Sequence, residues 1–221
     1  MALVRHYEIQ AESTNRYKLK PVQTAYIGMG ANLPSPAGPP ETTLTAAASR
    51  LGSLGSVVGR SSLYSTEPVG FAAQPRFVNA VVALETELAP HTLLDRLLAI
   101  ELEFGRDRSA GLLSGPRTLD LDILLMGDLS IHEWGLEIPH PRLAERTFVL
   151  IPLNEVAAHA VDPRHRKTVA QLLQTLLSRS ESEAHAVVPI QSDIWRASTG
   201  SGAAGPALSN GAESGEPHRH R

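Results

Sequence analysis

Two aspartates in the run Thr118-Leu-Asp-Leu-Asp-Ile-Leu-Leu-Met126 have the types and spacing most able to do chemistry. The run reads as a strand, on which successive side chains point to opposite faces. Asp120 and Asp122 therefore share one face, and Leu119, Leu121, Ile123 and Leu125 the other. Their Cα atoms lie roughly 6.5–7 Å apart, where two carboxylate charges repel by on the order of 2 kcal/mol at an effective dielectric of ~20. On an open sheet face such a pair is more often plain solvated surface. The other reading is a pair of Mg2+ ligands, since hard cations take oxygen donors and relieve the repulsion. The neighbourhood favours the metal. Arg106, Arg108, Arg117, Arg142 and Arg146 place five of the 17 arginines between residues 106 and 146. Carboxylates that hold Mg2+ beside guanidinium groups that clamp phosphate oxygens are the equipment of phosphoryl transfer.

Other reactive types are scarce. The three lysines, Lys18, Lys20 and Lys167, leave none from Pro21 to Arg166, so neither a P-loop lysine nor a Schiff-base lysine is available in the core. With no cysteine, thiolate zinc sites, disulfides and cysteine nucleophiles are excluded. Gly28-Met-Gly30 lacks the third glycine of a dinucleotide fingerprint, and a tight strand-to-loop turn is its expected role.

Alternating elements must position these residues. Thr24–Met29, Val57 to about Ser65, Phe77–Leu88 and Thr118–Met126 read as strands. Thr42–Leu51 reads as a helix closed by Gly52, and a second helix follows Pro90 with a stripe at Leu93, Leu97, Ile100 and Phe104 before Gly105. Thr147–Ala158 and Val169–Leu177 also look helical. The order β-α-β-β-α-β is that of a ferredoxin-like α+β domain, an antiparallel sheet with helices on one face and an open face for the site. In the third strand Val78, Ala80, Val82 and Leu84 make the buried face, which puts Phe77 and Asn79 on the face of the two aspartates.

The chain of 221 residues suits one domain with trimmings. Residues 1–22 read as a polar extension, 23–196 as the domain, and 197–221, rich in Gly, Ser, Ala and Pro, as a disordered tail. A net charge of −3 argues against a nucleic-acid partner bound by bulk positive field. No apolar run approaches the ~20 residues of a membrane span, and no secretory signal is evident, so a cytoplasmic monomer with no membrane partner is expected.

Six motifs in order carry a resemblance: Ala25-Tyr-Ile-Gly-Met-Gly-Ala-Asn-Leu33, Tyr64-Ser-Thr-Glu-Pro-Val-Gly70, Gln74-Pro-Arg-Phe-Val-Asn-Ala80, Glu101 with Arg106, Gly115-Pro-Arg-Thr-Leu-Asp-Leu-Asp122, and Ile138-Pro-His-Pro-Arg142. From about Thr24 to Pro163 the chain resembles the 6-hydroxymethyl-7,8-dihydropterin pyrophosphokinases of folate biosynthesis. The resemblance implies a ferredoxin-like enzyme that uses ATP and two Mg2+ ions to pyrophosphorylate its pterin substrate, releasing AMP. It implies Asp120 and Asp122 as metal ligands, and Arg106 and Arg117 as mobile-loop arginines that steady the phosphates in the transition state. Phe77 and Phe148 would stack on the pterin faces, Asn79 would bond its edge, and backbone groups of Thr66 and Val69 would complete the slot. Glu101, Arg108, Ile123, His140 and Arg146 match positions that touch ATP.

Plainer readings stand beside these. Glu101 is equally an exposed helix carboxylate and Ile123 a core residue; Phe148 also reads as helix packing and His140, before Pro141, as a turn residue. The chain departs from the family at Ser114, where an aromatic is common, at Glu137, where a hydroxyl is found, and at Trp134 or Gly135, where a basic residue falls. A non-catalytic nucleotide- or RNA-binding module on the same fold is the competing function, and two carboxylates on its binding face argue against it.

Overall fold

The computed structural model describes residues 21–70, 73–108, 115–179 and 186–197. The extension over 1–20, the tail over 198–221 and Ser114 lie outside the described residues.

Strand β1 (Gln23–Ala31) pairs antiparallel with β4 (Phe77–Thr86) on one side and β5 (Asp120–Met126) on the other, so the motif strands lie together at the sheet's centre. Helices α1 (Pro40–Leu51) and α2 (Pro90–Glu103) each begin on a proline, whose fixed φ suits the first helical position and whose missing N–H is not needed there. Gly105, at φ +78°, follows the end of α2 in the left-handed region that ends helices. Leu44, Ala47, Ala48 and Leu51 of α1 and Leu93, Leu97 and Ile100 of α2 bury against Ala25, Ile27, Met29, Leu84, Leu119 and Leu121. That is the closed face.

The single strand expected over Val57 to about Ser65 is divided into β2 (Ser56–Arg60) and β3 (Leu63–Thr66), both paired with the same edge of β4. The break is chemical. The Ser61 N–H donates to the Val81 carbonyl at 2.9 Å, but the Ser61 hydroxyl, not its carbonyl, accepts the Val81 N–H at 2.9 Å. The displaced Ser61 carbonyl accepts Nε1 of Trp195 at 2.8 Å. Counting β2 and β3 as one broken strand gives the ferredoxin-like order, extended past β3 by an edge strand, β10 (Val187–Ile190). After it a short helix, α5 (Asp193–Ala197), seats Trp195, 4% exposed, in the main core.

The opposite face is half covered. Helices α3 (Thr147–Ala157) and α4 (Val169–Leu177) bring Leu150, Leu153 and Leu172 onto Val81, Leu124 and Leu125. Leu125 was expected on the closed face with Leu121 and lies on this one. A register shift in the β1–β5 pairing, from Ile27↔Ile123 to Tyr26↔Leu125, leaves Leu124 as an extra residue, and one extra residue exchanges the faces of all that follow. The Leu124 carbonyl, out of the ladder, accepts the His140 N–H at 2.9 Å. Two small hairpins complete the chain: β6 (Ile131–Glu133) with β7 (Leu136–Ile138), and β8 (Val161–Asp162) with β9 (Lys167–Thr168). Among the described residues no helix is long and apolar enough to cross a membrane.

Candidate active site

A cleft of about 610 Å³, within the usual range for small-molecule sites, occupies the part of the second face that α3 and α4 leave open. The strand register sets its floor. Asn79, Gly30 and Asp120 lie in one row across β4, β1 and β5; Val81, Gly28 and Asp122 lie in the next. Two strand spacings put the Asn79 and Asp120 backbones roughly 10 Å apart. Gly28 and Gly30, expected in a turn, are inside β1 with no positive φ. Their role is to leave the floor bare. A Cβ on Gly30 would come within 2.9 Å of Asn79 Oδ1, and one on Gly28 within 3.1 Å of Leu124 Cδ2.

Phe77, Asn79, Thr66, Val69 and Phe148 are part of the wall of the cleft. Asn79, buried between two strands, donates from Nδ2 to Thr66 Oγ1 at 2.7 Å. Phe77 is 8% exposed and Val69 54%, so the aromatic is wall and the valine rim. The guanidinium of Arg117 lies over the Phe77 ring at 5.1 Å, and that of Arg146 over Phe148 at 5.4 Å, both within cation–π range.

Arg106, Arg108, Arg117, Arg142 and Arg146 also line the cleft, Arg117 and Arg146 directly against the two phenylalanines. Arg117 Nη1 is 2.8 Å from Asp120 Oδ2 and Arg106 Nη2 is 3.7 Å from Oδ1. Burial lowers the pKa values of Arg106 and Arg146. Their Nε atoms, with that of Arg117, are buried and find no acceptor among the described residues. Buried donors without acceptors are costly, and all three belong to side chains that line this cleft, a charge set that suits an anion. Burial first, and then the charges of Asp120 and Glu101, raise the pKa of Asp122 to about 6. An all-oxygen pair carrying this repulsion fits a hard divalent cation.

Glu101 is neither exposed nor in the cleft. At 1% exposure its Oε1 accepts the Leu121 N–H at 2.8 Å and its Oε2 accepts Nε and Nη2 of Arg108 at 3.0 and 2.6 Å. It is the support beneath Arg108, and burial raises its pKa.

His140 stands where the cleft meets a smaller depression of about 310 Å³, walled by Ile123, Leu94, Leu136 and Glu137. Ile123, 5% exposed, is thus both core and floor of that depression. The His140 Nδ1 accepts the Arg142 N–H at 3.1 Å, which leaves Nε2 as the protonated, donating nitrogen. Burial, then the neighbouring Arg146, lowers its pKa to about 4, so the ring is neutral near pH 7.

Asn32 had drawn no role from the sequence. At the end of β1 and 3% exposed, it accepts the Arg117 N–H on Oδ1 at 2.7 Å, and its own N–H donates to the Arg117 carbonyl at 3.0 Å. Its Nδ2 donates to Gln74 Oε1 and the Pro75 carbonyl, both at 3.0 Å. It joins the segment before Phe77 to the backbone of Arg117. The only advance signal was a short amide directly after a strand.

The sequence matches the family model of 7,8-dihydro-6-hydroxymethylpterin-pyrophosphokinase (HPPK) over residues 26–158. The 2-amino-4-hydroxy-6-hydroxymethyldihydropteridine pyrophosphokinase of Pseudomonas aeruginosa is 48% identical over 136 residues, which cover 62% of this chain and 82% of that protein. The Synechocystis protein of the same name is 42% identical over 152 residues, 68% of this chain and 74% of that one. A crystal structure of wild-type Plasmodium falciparum HPPK-DHPS aligns with a TM-score of 0.58 at 15% identity, covering 76% of this chain and 46% of that one, a likeness of fold. This chain therefore spans about half of the Plasmodium chain. The family match takes in every residue of the cleft floor, and the chain belongs to the 7,8-dihydro-6-hydroxymethylpterin-pyrophosphokinase family.

Proposed function

We infer that the chain transfers the pyrophosphoryl group of ATP to the hydroxymethyl oxygen of 6-hydroxymethyl-7,8-dihydropterin in folate biosynthesis, releasing AMP. The observation that carries the reading is the row Asn79–Gly30–Asp120, an amide and a carboxylate on one floor with a bare glycine between them. A flat, polar-edged ring lies against Phe77 and Phe148 with its edge on Asn79, and Thr66 and Val69 close the slot. Its hydroxymethyl arm points along the row toward Asp120.

ATP lies from His140 to the arginines, its base in the depression over Ile123. Neutral His140 donates from Nε2, and Glu101 holds the Arg108 fork in place. Two Mg2+ ions, held by Asp120 and Asp122, would neutralise phosphate charge and polarise the β-phosphorus. Were the carboxylates to hold metal, the Nη groups of Arg117 and Arg106, now on Asp120, would be free to donate to phosphate oxygens. The hydroxymethyl oxygen gives its proton to solvent and bonds to the β-phosphorus as the bond from that phosphorus to the oxygen bridging the α-phosphate breaks, and AMP leaves with that oxygen. Guanidinium groups preorganised around the shifting charge act mainly in the transition state. Incubation with ATP, Mg2+ and the pterin tests this: AMP formed in step with pterin is expected, and pterin-dependent ADP would overturn it.

A further inference from the structure

The β8–β9 turn carries a guanidinium that neither the motifs nor the cleft accounts for. Arg164 lies beyond the family match at residues 26–158. Its Nη1 donates to Glu137 Oε1 on β7 at 2.9 Å, and its Nη2 to the His140 carbonyl at 2.7 Å. The turn beneath it is fixed in its own right. The Arg164 N–H donates to Oδ1 of the fully buried Asp162 at 2.8 Å, and Asp162 Oδ2 meets His165 Nδ1 at 2.8 Å. With Arg164 27% and Glu137 31% exposed, the pair is less screened than one on open surface. One planar fork thus spans acceptors on two segments, a geometry an ammonium cannot copy.

We propose that Arg164 is a positioning residue for the nucleotide half of the site, fixing the His140 imidazole through its carbonyl and the Glu137 wall through its carboxylate. The inference rests on the reading of His140 and its depression as the ATP side. The other ties on His140 are the Leu124 carbonyl on β5, which holds its N–H, and the N–H groups of Arg142 and Leu143, which hold its ring and carbonyl locally. Arg164 adds the link to Glu137, so its loss slackens both walls of the depression together. Asn79 and Phe77 stand on β4, outside this link.

The test uses the full chain and its Arg164→Ala, Arg164→Lys and Glu137→Gln variants. Calorimetry measures the Kd of the Mg2+ complex of α,β-methylene-ATP, and steady-state assays give separate KM values. Arg164→Ala should raise that Kd and the KM for ATP by about tenfold, with kcat and the pterin KM within about twofold. Arg164→Lys should recover less than half of the loss on a logarithmic scale. Arg164→Ala should cost less in the Glu137→Gln background than alone, the sign of a shared link. An unchanged Kd and ATP KM in a folded Arg164→Ala protein would overturn the inference, as would equal rises in both KM values with a fall in kcat. If the alanine variant does not fold, Arg164→Lys decides on the same split between the two substrates. A wild type that binds the analogue yet makes no pterin-dependent AMP counts against the proposed function, and the calorimetric Kd values then decide this inference.

Discussion

The two faces of β5 differ in what they ask of neighbouring residues. On one, Leu121, with Leu119 just before the strand, is at most 1% exposed in a core shared with α1 and α2. On the other, one residue away each time, Asp120 and Asp122 lie among arginines whose buried Nε atoms find no acceptor among the described residues. The first face is satisfied as it stands. The second holds Asp122 against the charges of Asp120 and Glu101 and carries unspent donors, both of which a metal-bound polyphosphate would use. Stability is concentrated on one face and affinity on the other, which is the division expected where a binding site is kept at a cost to the apo fold.

Substitutions on the two faces should therefore separate activity from stability. Asp120→Asn or Asp122→Asn keeps the shape and removes a charge from the metal site. Turnover with Mg2+ should fall by about 10²-fold or more, the scale of ~3 kcal/mol of transition-state stabilisation. The metal-free melting temperature of Asp122→Asn should hold or rise, because repulsion is relieved, and that of Asp120→Asn should fall, because Arg117 and Arg106 lose their carboxylate; near-normal turnover in both variants would mean that the carboxylates are only solvated surface. Leu121→Ala should do the reverse. A cavity in the closed face should cost about 2–5 kcal/mol of stability, read from denaturant unfolding, with turnover per folded molecule changed only a few-fold. Comparable losses of turnover on the two faces would erase the contrast.

Much of this contrast was legible in the sequence, because it depends on alternation. Apolar and polar residues at a period of two placed Phe77, Asn79, Asp120 and Asp122 on one side before any coordinates. Alternation fails wherever the backbone inserts a residue, and so Leu125 was put on the wrong face: nothing in Ile-Leu-Leu-Met announces a bulge. The Ser61 break was hidden for a similar reason, since a hydroxyl replacing a carbonyl in the ladder leaves the strand-like pattern unbroken. The hairpins around His132 and Arg164 have strands of two or three residues, too short to show any period. Glu101 was left between surface and site because a helix carboxylate is nearly always solvated; what buries it is the Leu121 N–H and the Arg108 fork, contacts between distant segments that composition does not reveal.

A subtler break of the site face is Gly30→Ala. The new Cβ would meet Asn79 Oδ1 at 2.9 Å, and Asn79 cannot yield freely while its Nδ2 is bonded to Thr66. Misplacing that amide should raise the pterin KM by about tenfold, ~1.4 kcal/mol, with the KM for ATP little changed. Equal effects on both substrates would show that the floor row does not divide them.

The smallest effect concerns protons. Burial first, then Arg146, with Arg164 and Arg142 adding to it and Asp120 opposing, holds the His140 pKa near 4, against the ordinary value of 6.5. As pH falls from 6.5 toward 4, the unfolded chain takes up a proton at this residue that the folded chain refuses. The folded state therefore loses stability over that window, and the His140 contribution is fully present above about pH 6.5. In His140→Gln this loss is absent. The melting temperature of the nucleotide-free wild type, less that of His140→Gln, should be largest near pH 7 and shrink steadily toward pH 5, measured at constant ionic strength. A gap that widens on acidification would mean that the folded state stabilises the imidazolium. The ring would then face the carboxylate of Asp120 more closely than the guanidinium groups, and the neutral donor assigned to the ATP side of the cleft would have to be given up.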